Sequence, residues 1–385
     1  MERLCRPPRP DRLERARAMG FRFAEIAGEP YWDESACYRF DAAGVDAIED
    51  ATAELERLSR EAVAHAVRWN RRRALGLDER AWALAVASWE RGEPSLYGRM
   101  DLRWDGTGPP LLLEYNADTP TALFEAAVVQ WEWLQCTDPA QDQFNAIHEA
   151  LIAAWPALAL PPRVHFCCAR DSVEDRGTVD YLRDTAIQAG LDAPFLFMDE
   201  VGWNGAGFRD LAEAPIGAAF KLYPWDWMLR EAFGAHLRPA ASATRWIEPA
   251  WRMIPAGKGF LALLWDLFPG HPNLLPAFLE PGRTGGPEVG KPFWGREGAG
   301  LRTPVGDTAG PARAGPLVWQ RWAELPRFGN RYPVLGSWVV AGRPCGLGIR
   351  EDETPITRDT SRFVPHFFRP ATDGRAPDPG VPTAP

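Results

Sequence analysis

The stretch that decides the fold runs from residue 97 to residue 121 and reads YGRMDLRWDGTGPPLLLEYNADTPT. Two runs with a strand-like pattern flank DGTGPP, a segment rich in turn-forming residues, and this arrangement predicts a β-hairpin. A period of two places Arg99 and Asp101 on one face of the first strand. In the second strand, Glu114 and Asn116 likewise share a face. Four polar side chains are therefore expected on one side of the hairpin.

The pairing of these strands suggests a use for the polar face. A register that opposes Arg99 to Asn116 also opposes Asp101 to Glu114, and two carboxylates directly opposite each other repel. A divalent cation is the simplest compensation, and the oxygen atoms of Asp, Glu and Asn suit Mg²⁺. The hairpin is thus interpreted as a metal and phosphate platform in an ATP-using enzyme. The alternatives are a solvated polar face and, for Arg99, a structural salt bridge to either carboxylate.

Composition bounds the class of protein. The chain has 385 residues, 46% of them hydrophobic and 25% charged, which is typical of a globular protein of one to three domains. The net charge of -9 argues against nucleic-acid binding. Without a long apolar run or a signal-like N-terminus, the chain is expected to be cytoplasmic and to have no membrane partner. The six scattered cysteines are expected to be free thiols.

Periodicity predicts helices on both sides of the hairpin. Residues 41–90 have near-helical apolar spacing, and Asp41 is expected to cap the start. The apolar segment ALFEAAVVQWEWLQ is predicted to form a helix that begins at Asp118-Thr119-Pro120. Further helices are expected at 141–155, 227–236 and 258–268.

A small α/β unit is predicted in the middle of the chain. Apolar strands at 162–169 and 194–198 flank a helix at 177–191, and a third strand ends near Lys221. The predicted fold class is therefore mixed α+β and α/β. No role could be assigned to Lys221.

The C-terminal third combines a glycine-rich segment with strands. Residues 281–316 are rich in Gly, Pro and charge, which is typical of a disordered loop or of a mobile lid, here placed at about 283–316. The segments PLVWQRW and VLGSWVVAGRPCGLGIRE predict a strand and a hairpin with its turn at Ala-Gly-Arg-Pro. Residues 369–385 are of low complexity and are expected to be disordered.

Other residues suit anion binding. Thr119 and Thr121 lie at the predicted helix start, where anions are favoured, although simple capping is the alternative. Lys258 and Lys291 are next to glycines that permit close backbone approach to phosphates, and Arg296 adds charge. Solvated lysines are the alternative for this pair.

Arg350 follows a strand and precedes an acidic run. It is a candidate for binding a substrate carboxylate, and its alternative is pairing with the acidic residues at 351–353.

Several motifs occur together and in a fixed order: RMD with LLLEYNADTPTALFEAAVVQW, FKLYPWDW, WIEPAWRMIPAGKG, LLWDLFPGHPNLLPA, KPFWGREG and PVLGSWVVAGRPCGLGIREDETPIT. Through them, residues 15–368 resemble the glutathionylspermidine synthase family, in its standalone synthetase type without an amidase domain. The resemblance implies an ATP-grasp catalytic region over residues 1–368. It also implies that a carboxylate is activated as an acyl phosphate, which an amine then attacks. Bifunctional members of the family join glutathione to spermidine.

The resemblance also implies a role for each matched residue. Arg99 would neutralise the transferred phosphoryl group and contact ATP, and Arg350 would hold a substrate carboxylate. The remaining roles are Mg²⁺ ligation by Asp101, Glu114 and Asn116, substrate contact by Thr119 and Thr121, and ATP binding by Lys258, Lys291, Gln320 and Trp322. Gln320 and Trp322 fall on the hinge strand that receives the adenine, largely through backbone groups.

Two departures from the family pattern leave the substrates open. Thr119 and Thr121 replace serines of the bifunctional enzymes, and Gly257 stands where an asparagine is common. The expected function is an ATP- and Mg²⁺-dependent ligase that joins a small-molecule acid, such as a glutathione-like peptide, to a polyamine-like amine. Two other functions are compatible with the motifs: a catalytically degenerate ATP-grasp binding or regulatory protein, and a kinase-like phosphotransferase.

Overall fold

Helices and strands are distributed over all the residues that the computed structural model describes, which are 1–26, 28–238, 244–308 and 315–369. The α-helices are α1 (Arg12–Ala18), α2 (Ala42–Arg68), α3 (Glu79–Glu90), α4 (Gln130–Thr137), α5 (Ile147–Ala157), α6 (Val173–Gln188), α7 (Trp225–Met228), α8 (Met253–Ala256) and α9 (Phe260–Leu267). The strands are β1 (Glu2–Cys5), β2 (Glu25–Ile26), β3 (Glu29–Pro30), β4 (Ala36–Phe40), β5 (Tyr97–Arg103), β6 (Leu111–Asn116), β7 (His165–Cys168), β8 (Phe195–Phe197), β9 (Gly202–Trp203), β10 (Phe208–Arg209), β11 (Ala218–Leu222), β12 (Arg245–Ile247), β13 (Ala277–Phe278), β14 (Glu288–Pro292), β15 (Leu317–Arg321), β16 (Tyr332–Val340), β17 (Arg343–Asp352), β18 (Arg362–Val364) and β19 (His366–Phe368).

A five-stranded sheet in the order β18-β17-β16-β5-β6 carries the predicted hairpin. The predicted register is confirmed, because Arg99 lies opposite Asn116 and Asp101 lies opposite Glu114. A register shift follows Asp101, so the pairing changes only beyond the polar residues. The long helix α2 packs against β16 and β17 of this sheet, which buries one face and leaves the polar face on the other side.

The second predicted hairpin, β16–β17, forms the centre of the same sheet. Its turn lies at Ala341 and Gly342, which have φ values of 48° and 77°. Positive φ at both central turn residues matches the twist of a two-residue hairpin turn. Arg350 therefore lies on a central strand, directly opposite Val334.

The predicted α/β unit is present as a parallel sheet in the order β12-β11-β7-β8. Helix α6 connects β7 to β8, and it begins earlier than predicted because the Ser172 side chain accepts a hydrogen bond from the Asp175 amide at 3.0 Å. Lys221 lies on β11, one of the two central strands of this sheet.

The predicted helical region 41–90 is two helices, α2 and α3, separated by residues 69–78. The Asp41 side chain caps α2 by accepting a hydrogen bond from the Gly44 amide, as predicted. The other predicted helices occur with shifted bounds as α5, as α7 followed by a 3₁₀ turn at Ala232–His236, and as α9.

The start of the helix after the hairpin was predicted wrongly. Helical structure begins at residue 123, passes through a π-helical segment at Glu125–Val129 and continues as α4. Ala122 has a left-handed φ of 65°, so the chain before residue 123 cannot be part of an α-helix. The Asp118 side chain does not cap this helix, because it binds Lys221 and the Trp225 amide instead.

The glycine-rich segment is not a continuous loop. Strand β14 lies within it and pairs with β15, which also pairs with β13. The predicted disordered loop is therefore wrong for Glu288–Pro292, because pairing with β15 gives this segment the backbone hydrogen bonds of a strand. Residues 309–314 of this segment lie outside the described residues, as do residues 370–385 of the predicted disordered tail.

Candidate active site

A cleft of about 240 Å³ lies between the polar face of the β5–β6 hairpin and the β13-β15-β14 sheet. Every residue that the sequence assigned to catalysis, metal, nucleotide or substrate lines it. These residues are Arg99, Asp101, Glu114, Asn116, Thr119, Thr121, Lys258, Lys291, Gln320, Trp322 and Arg350. The structure thus brings together residues that lie up to about 250 positions apart in the chain.

Arg99 forms a salt bridge with Asp101, which the sequence analysis gave as the alternative to a role in phosphate binding. Its guanidinium donates to both carboxylate oxygens of Asp101, at 2.7 and 3.0 Å, and its third nitrogen donates to the Thr121 carbonyl at 2.6 Å. Burial lowers the pKa of Arg99, but the Asp101 carboxylate outweighs burial and keeps the pKa above its ordinary value. Arg99 is therefore a permanently charged group fixed at the inner end of the cleft.

Asn116 connects the two opposed carboxylates. Its Nδ2 atom donates to Asp101 Oδ2 at 3.1 Å and to Glu114 Oε1 at 3.3 Å, so the amide nitrogen, and not the amide oxygen, faces the two carboxylates. The two carboxylates fit Mg²⁺, which needs one or two of them when substrate phosphates supply further ligands, and Asn116 would add its oxygen once its amide group turns over. In the described part of the chain, no cluster of three or more His, Cys, Asp or Glu side chains could hold a metal.

Two lysines surround Glu114. Lys258 Nζ lies 2.8 Å from Glu114 Oε2 and donates to the Gly295 carbonyl at 2.9 Å, while Lys291 Nζ donates to the Leu113 carbonyl at 2.9 Å. Burial raises the pKa of Glu114, but the two lysines lower it to about 2. Burial lowers the pKa of Lys291 to about 8, even though Glu114 raises it. The carboxylate is thus held ionised beside two cations.

Gln320 presents a buried acceptor at the other wall of the cleft. Its Nε2 atom donates to the Leu112 carbonyl at 3.0 Å, which fixes the orientation of the amide. Its Oε1 atom is buried and finds no hydrogen-bond donor among the described residues. Trp322 is half-buried, and its amide donates to the Pro287 carbonyl at 2.8 Å. An unpaired buried acceptor is costly unless a ligand supplies a donor.

Arg350 does not pair with the acidic run beside it. Its guanidinium donates to backbone carbonyls at 358, 359 and 361, at 2.6, 2.8 and 3.0 Å. Glu351 points to the opposite face of β17, where it accepts hydrogen bonds from Arg3 and Tyr38. Strand alternation separates Arg350 from Glu351, so the predicted alternative is wrong for that residue.

Thr119 and Thr121 were predicted at a helix N-terminus, but they lie in an irregular loop that precedes the helix. Both threonines line the cleft, and the Thr121 side chain is near enough to Glu174 to lower the pKa of that carboxyl group, which burial raises. Anion binding by Thr119 must therefore rely on the hydroxyl and the loop backbone rather than on a helix dipole.

An acidic cluster beside Arg350 was missed by the sequence reasoning. Glu125 is fully buried; its Oε1 atom accepts from the Tyr31 hydroxyl at 2.6 Å, and its Oε2 atom lacks a partner in the described residues. Burial is the largest cause that raises the pKa of Glu125, Glu174 and Asp175, and it brings that of Asp175 to about 7. The one available signal was Glu125 itself, a single charge within an otherwise apolar helical run.

The remaining sequence expectations concern the whole chain. All six cysteines lie in the described residues and are free thiols, as expected. Among the helices of the described residues, none is long and apolar enough to cross a membrane.

Known proteins share both the sequence pattern and the fold. A Haemophilus influenzae protein named "Putative acid--amine ligase" is 38% identical over 94% of this chain and 98% of its own length. The bifunctional glutathionylspermidine synthetase/amidase of Escherichia coli is 27% identical over 74% of this chain, and trypanothione synthetase of Crithidia fasciculata is 26% identical over 76%. The chain spans about half the length of these two relatives, 51% and 50%.

The fold has a relative among solved structures. A glutathione synthetase-like effector from Globodera pallida superposes with a TM-score of 0.55 over 86% of this chain and 88% of that one, at 9% identity. This likeness concerns the fold, whereas the sequence relatives, named as an acid–amine ligase and as synthetases, place the chain in the class of carbon–nitrogen ligase enzymes. More specifically, the model of the glutathionylspermidine synthase preATP-grasp family matches residues 3–369, and the chain belongs to that family.

Proposed function

We propose that this protein is an ATP- and Mg²⁺-dependent acid–amine ligase with an ATP-grasp site that works through an acyl phosphate. The observation that carries the proposal is the convergence of Arg99, Lys258 and Lys291 with two carboxylates and an amide in one cleft. In the reaction, the acid carboxylate accepts the terminal phosphoryl group of ATP and ADP leaves. The amine nitrogen then attacks the carbonyl carbon, and phosphate leaves as the amide bond forms.

The nucleotide fits between the hairpin and the β13-β15-β14 sheet. Lys258 and Lys291 supply positive charge for its phosphates, and the unpaired Gln320 Oε1 atom suits the amino group of a purine base. Asp101, Glu114 and Asn116 would hold Mg²⁺, which neutralises charge on the phosphates when it is bound. Arg99 lies at the same point and stabilises negative charge on the transferred group.

The acid substrate is proposed to carry more than one anionic group, as a glutathione-like peptide does. Arg99 is proposed to face the reacting carboxylate of the substrate, next to Asp101 and Glu114. Arg350 has its guanidinium fixed by three carbonyls and still lines the cleft, so it suits a remote carboxylate. Thr119 lines the same cleft, and its hydroxyl is proposed to contribute a further polar contact.

The amine is proposed to bind next to Arg350, at Glu125, Glu174 and Asp175. Their raised pKa values mean that burial disfavours the ionised carboxylates when only protein groups surround them. A cationic ligand reverses that preference, because it stabilises the ionised form of each carboxyl group. A polyamine carries several such cations, and the nitrogen that attacks must first lose its proton.

The segment 283–316 is proposed to act as a lid over the nucleotide. Its described part contributes Lys291 and residues 295–299 to the cleft wall, and Arg296 pairs with Asp226 at 2.6 Å. Closing such a segment excludes water from a reactive acyl phosphate. Limited proteolysis tests this: cleavage within 283–308 should slow when a non-hydrolysable ATP analogue and Mg²⁺ are added. Equal cleavage rates with and without the analogue would argue against a lid.

The experiment that tests the ligase is a matrix of peptide acids and polyamines, assayed for ADP with ATP and Mg²⁺. A ligase forms ADP only when both an acid and an amine are present. ADP formation that needs the acid but not the amine would indicate a kinase-like phosphotransferase. Nucleotide binding without ADP formation in any combination would indicate a degenerate binding or regulatory protein.

A further inference from the structure

Lys221 belongs to a motif that the site described above does not use. Its side chain has no solvent exposure, and Nζ donates to Asp118 Oδ1 at 2.6 Å. The other oxygen of Asp118 accepts from the Trp225 amide at 2.8 Å, and Lys221 Nζ lies 5.0 Å from the centre of the Trp225 ring. Asp118 is only 7% exposed. These three residues form a closed, buried polar contact.

This contact joins two parts of the molecule. Lys221 lies on β11 of the parallel α/β sheet, whereas Asp118 follows β6 of the active-site hairpin by two residues. The two residues are 103 positions apart. Asp118 begins the loop 118–122, which carries Thr119 and Thr121 into the cleft. The position of this loop therefore depends on the α/β unit.

The other hydrogen bonds that hold the loop reach its backbone, and one of them joins the Tyr97 hydroxyl to the Pro120 carbonyl at 3.4 Å. The loop backbone is also fixed before Asp118, where the Ala117 carbonyl accepts from Arg252 at 2.8 Å, and at its end, where the Thr121 carbonyl accepts from Arg99. It is not helical, and Ala122 has a left-handed φ of 65°. Asp118 is thus a side-chain anchor next to Thr119, whereas these other contacts hold the loop by its backbone.

A buried ion pair is seldom the most stabilising choice for a protein interior, because desolvation of both charges offsets their attraction. What it provides is direction, since the carboxylate must meet the ammonium group and the amide at fixed positions. We infer that Lys221 and Asp118 are positioning residues, which place Thr119 for the acid substrate and leave nucleotide binding unaffected. The kinetic part of this inference rests on the proposed ligase function.

The kinetic test compares Lys221→Met and Asp118→Asn with Arg9→Met. Arg9 forms a similarly buried pair with Glu34 at 2.8 Å, away from the cleft lining, so its variant controls for general destabilisation. We expect KM for the acid to rise about ten-fold or more in both loop variants, with KM for ATP within about two-fold of wild type. Lys221→Arg, which keeps the cation, should recover part of the loss. An unchanged KM for the acid, or an equal rise in Arg9→Met, would overturn the inference.

A second measurement needs no catalysis. Amide hydrogen exchange in a peptide covering 117–124 should be faster in Lys221→Met and Asp118→Asn than in wild type, and unchanged in Arg9→Met. If the wild-type protein forms no amide, the proposed function fails while this exchange test still decides whether the anchor exists. If Lys221→Met does not fold, Asp118→Asn, which keeps the shape of the side chain, carries both measurements. If this peptide exchanges at the wild-type rate in both loop variants, the anchor is refuted.

Discussion

Carboxyl groups lie in two electrostatic surroundings: at the hairpin end of the cleft, where Asp101 and Glu114 line the wall, and at its Arg350 end, where Glu125, Glu174 and Asp175 lie behind the lining residues. At the hairpin end, Lys258 and Lys291 lower the pKa of Glu114 to about 2 against the effect of burial. At the Arg350 end, burial raises the pKa of Glu174 and Asp175, and the nearby Arg350 offsets this only in part for Glu174. Both regions have acidic side chains. They differ in their cations, because two lysines surround Glu114 whereas one arginine lies near Glu174.

The proposed function assigns ligands of opposite charge to these two surroundings. At the hairpin end the two lysines keep Glu114 ionised, which suits a divalent cation together with phosphates. The Arg350 end gains most when a ligand brings its own positive charge. The proposed division into a phosphate end and an amine end follows from this contrast, and each prediction below tests one side of it.

The largest effect is expected at the hairpin end. Glu114→Gln should lower kcat by about 10³ or more while the protein stays folded, because the neutral amide cannot supply the charge that Mg²⁺ requires. The measurement is amine-dependent ADP formation with circular dichroism as a check of folding. Glu61→Gln, an exposed change on α2, is the matched control and should retain activity. Wild-type turnover in Glu114→Gln, or in excess chelator, would contradict the metal assignment.

The two arginines should differ in the constant they affect. Arg99→Ala should lower kcat by about 10²–10³, since Arg99 meets charge that develops during transfer. Arg350→Ala should mainly raise KM for the acid, by about ten-fold, and can also lower kcat because remote binding positions the reacting centre. Steady-state kinetics with one identified acid and amine separates these effects. If Arg350→Ala changes neither constant, its assigned role is wrong.

A smaller effect is expected at the amine end. Glu174→Gln should raise KM for a polyamine by about ten-fold, with less effect on a monoamine and none on KM for ATP, because one charge pair is lost. Asp184→Asn, an exposed change on the same helix α6, provides the control. Equal effects of Glu174→Gln on monoamines and polyamines would place the amine elsewhere.

The smallest effect is on stability. The pKa of Asp175 is raised from its ordinary 3.8 to about 7, so the folded protein binds more protons than the unfolded chain between these values. Wild-type stability should therefore fall as pH rises through this window, and Asp175→Asn should remove that loss. Relative to wild type, the variant should gain about 1–2 kcal/mol on going from about pH 4 to about pH 8, measured by urea unfolding. A difference between the two proteins that does not change with pH would contradict the raised pKa.

The sequence by itself determined the hairpin face. Alternation is a local property, and the register that opposes Asp101 to Glu114 could be read from the polar pattern on either side of the turn. The Asp41 cap and the β16–β17 turn were predictable for the same reason, since each depends on residues within a few positions of one another. The motif order also identified the residues that line the cleft.

Only the tertiary structure decided the use of Asp118. By local rules its carboxylate caps the next helix, but Lys221, 103 positions away, competes for it and is completely buried. An unpaired buried ammonium group costs far more free energy than a lost helix cap, so the long-range partner prevails and the helix begins later. The acidic cluster has the same origin: burial and the approach of Glu174 raise the pKa of Glu125, and neither is encoded in local spacing.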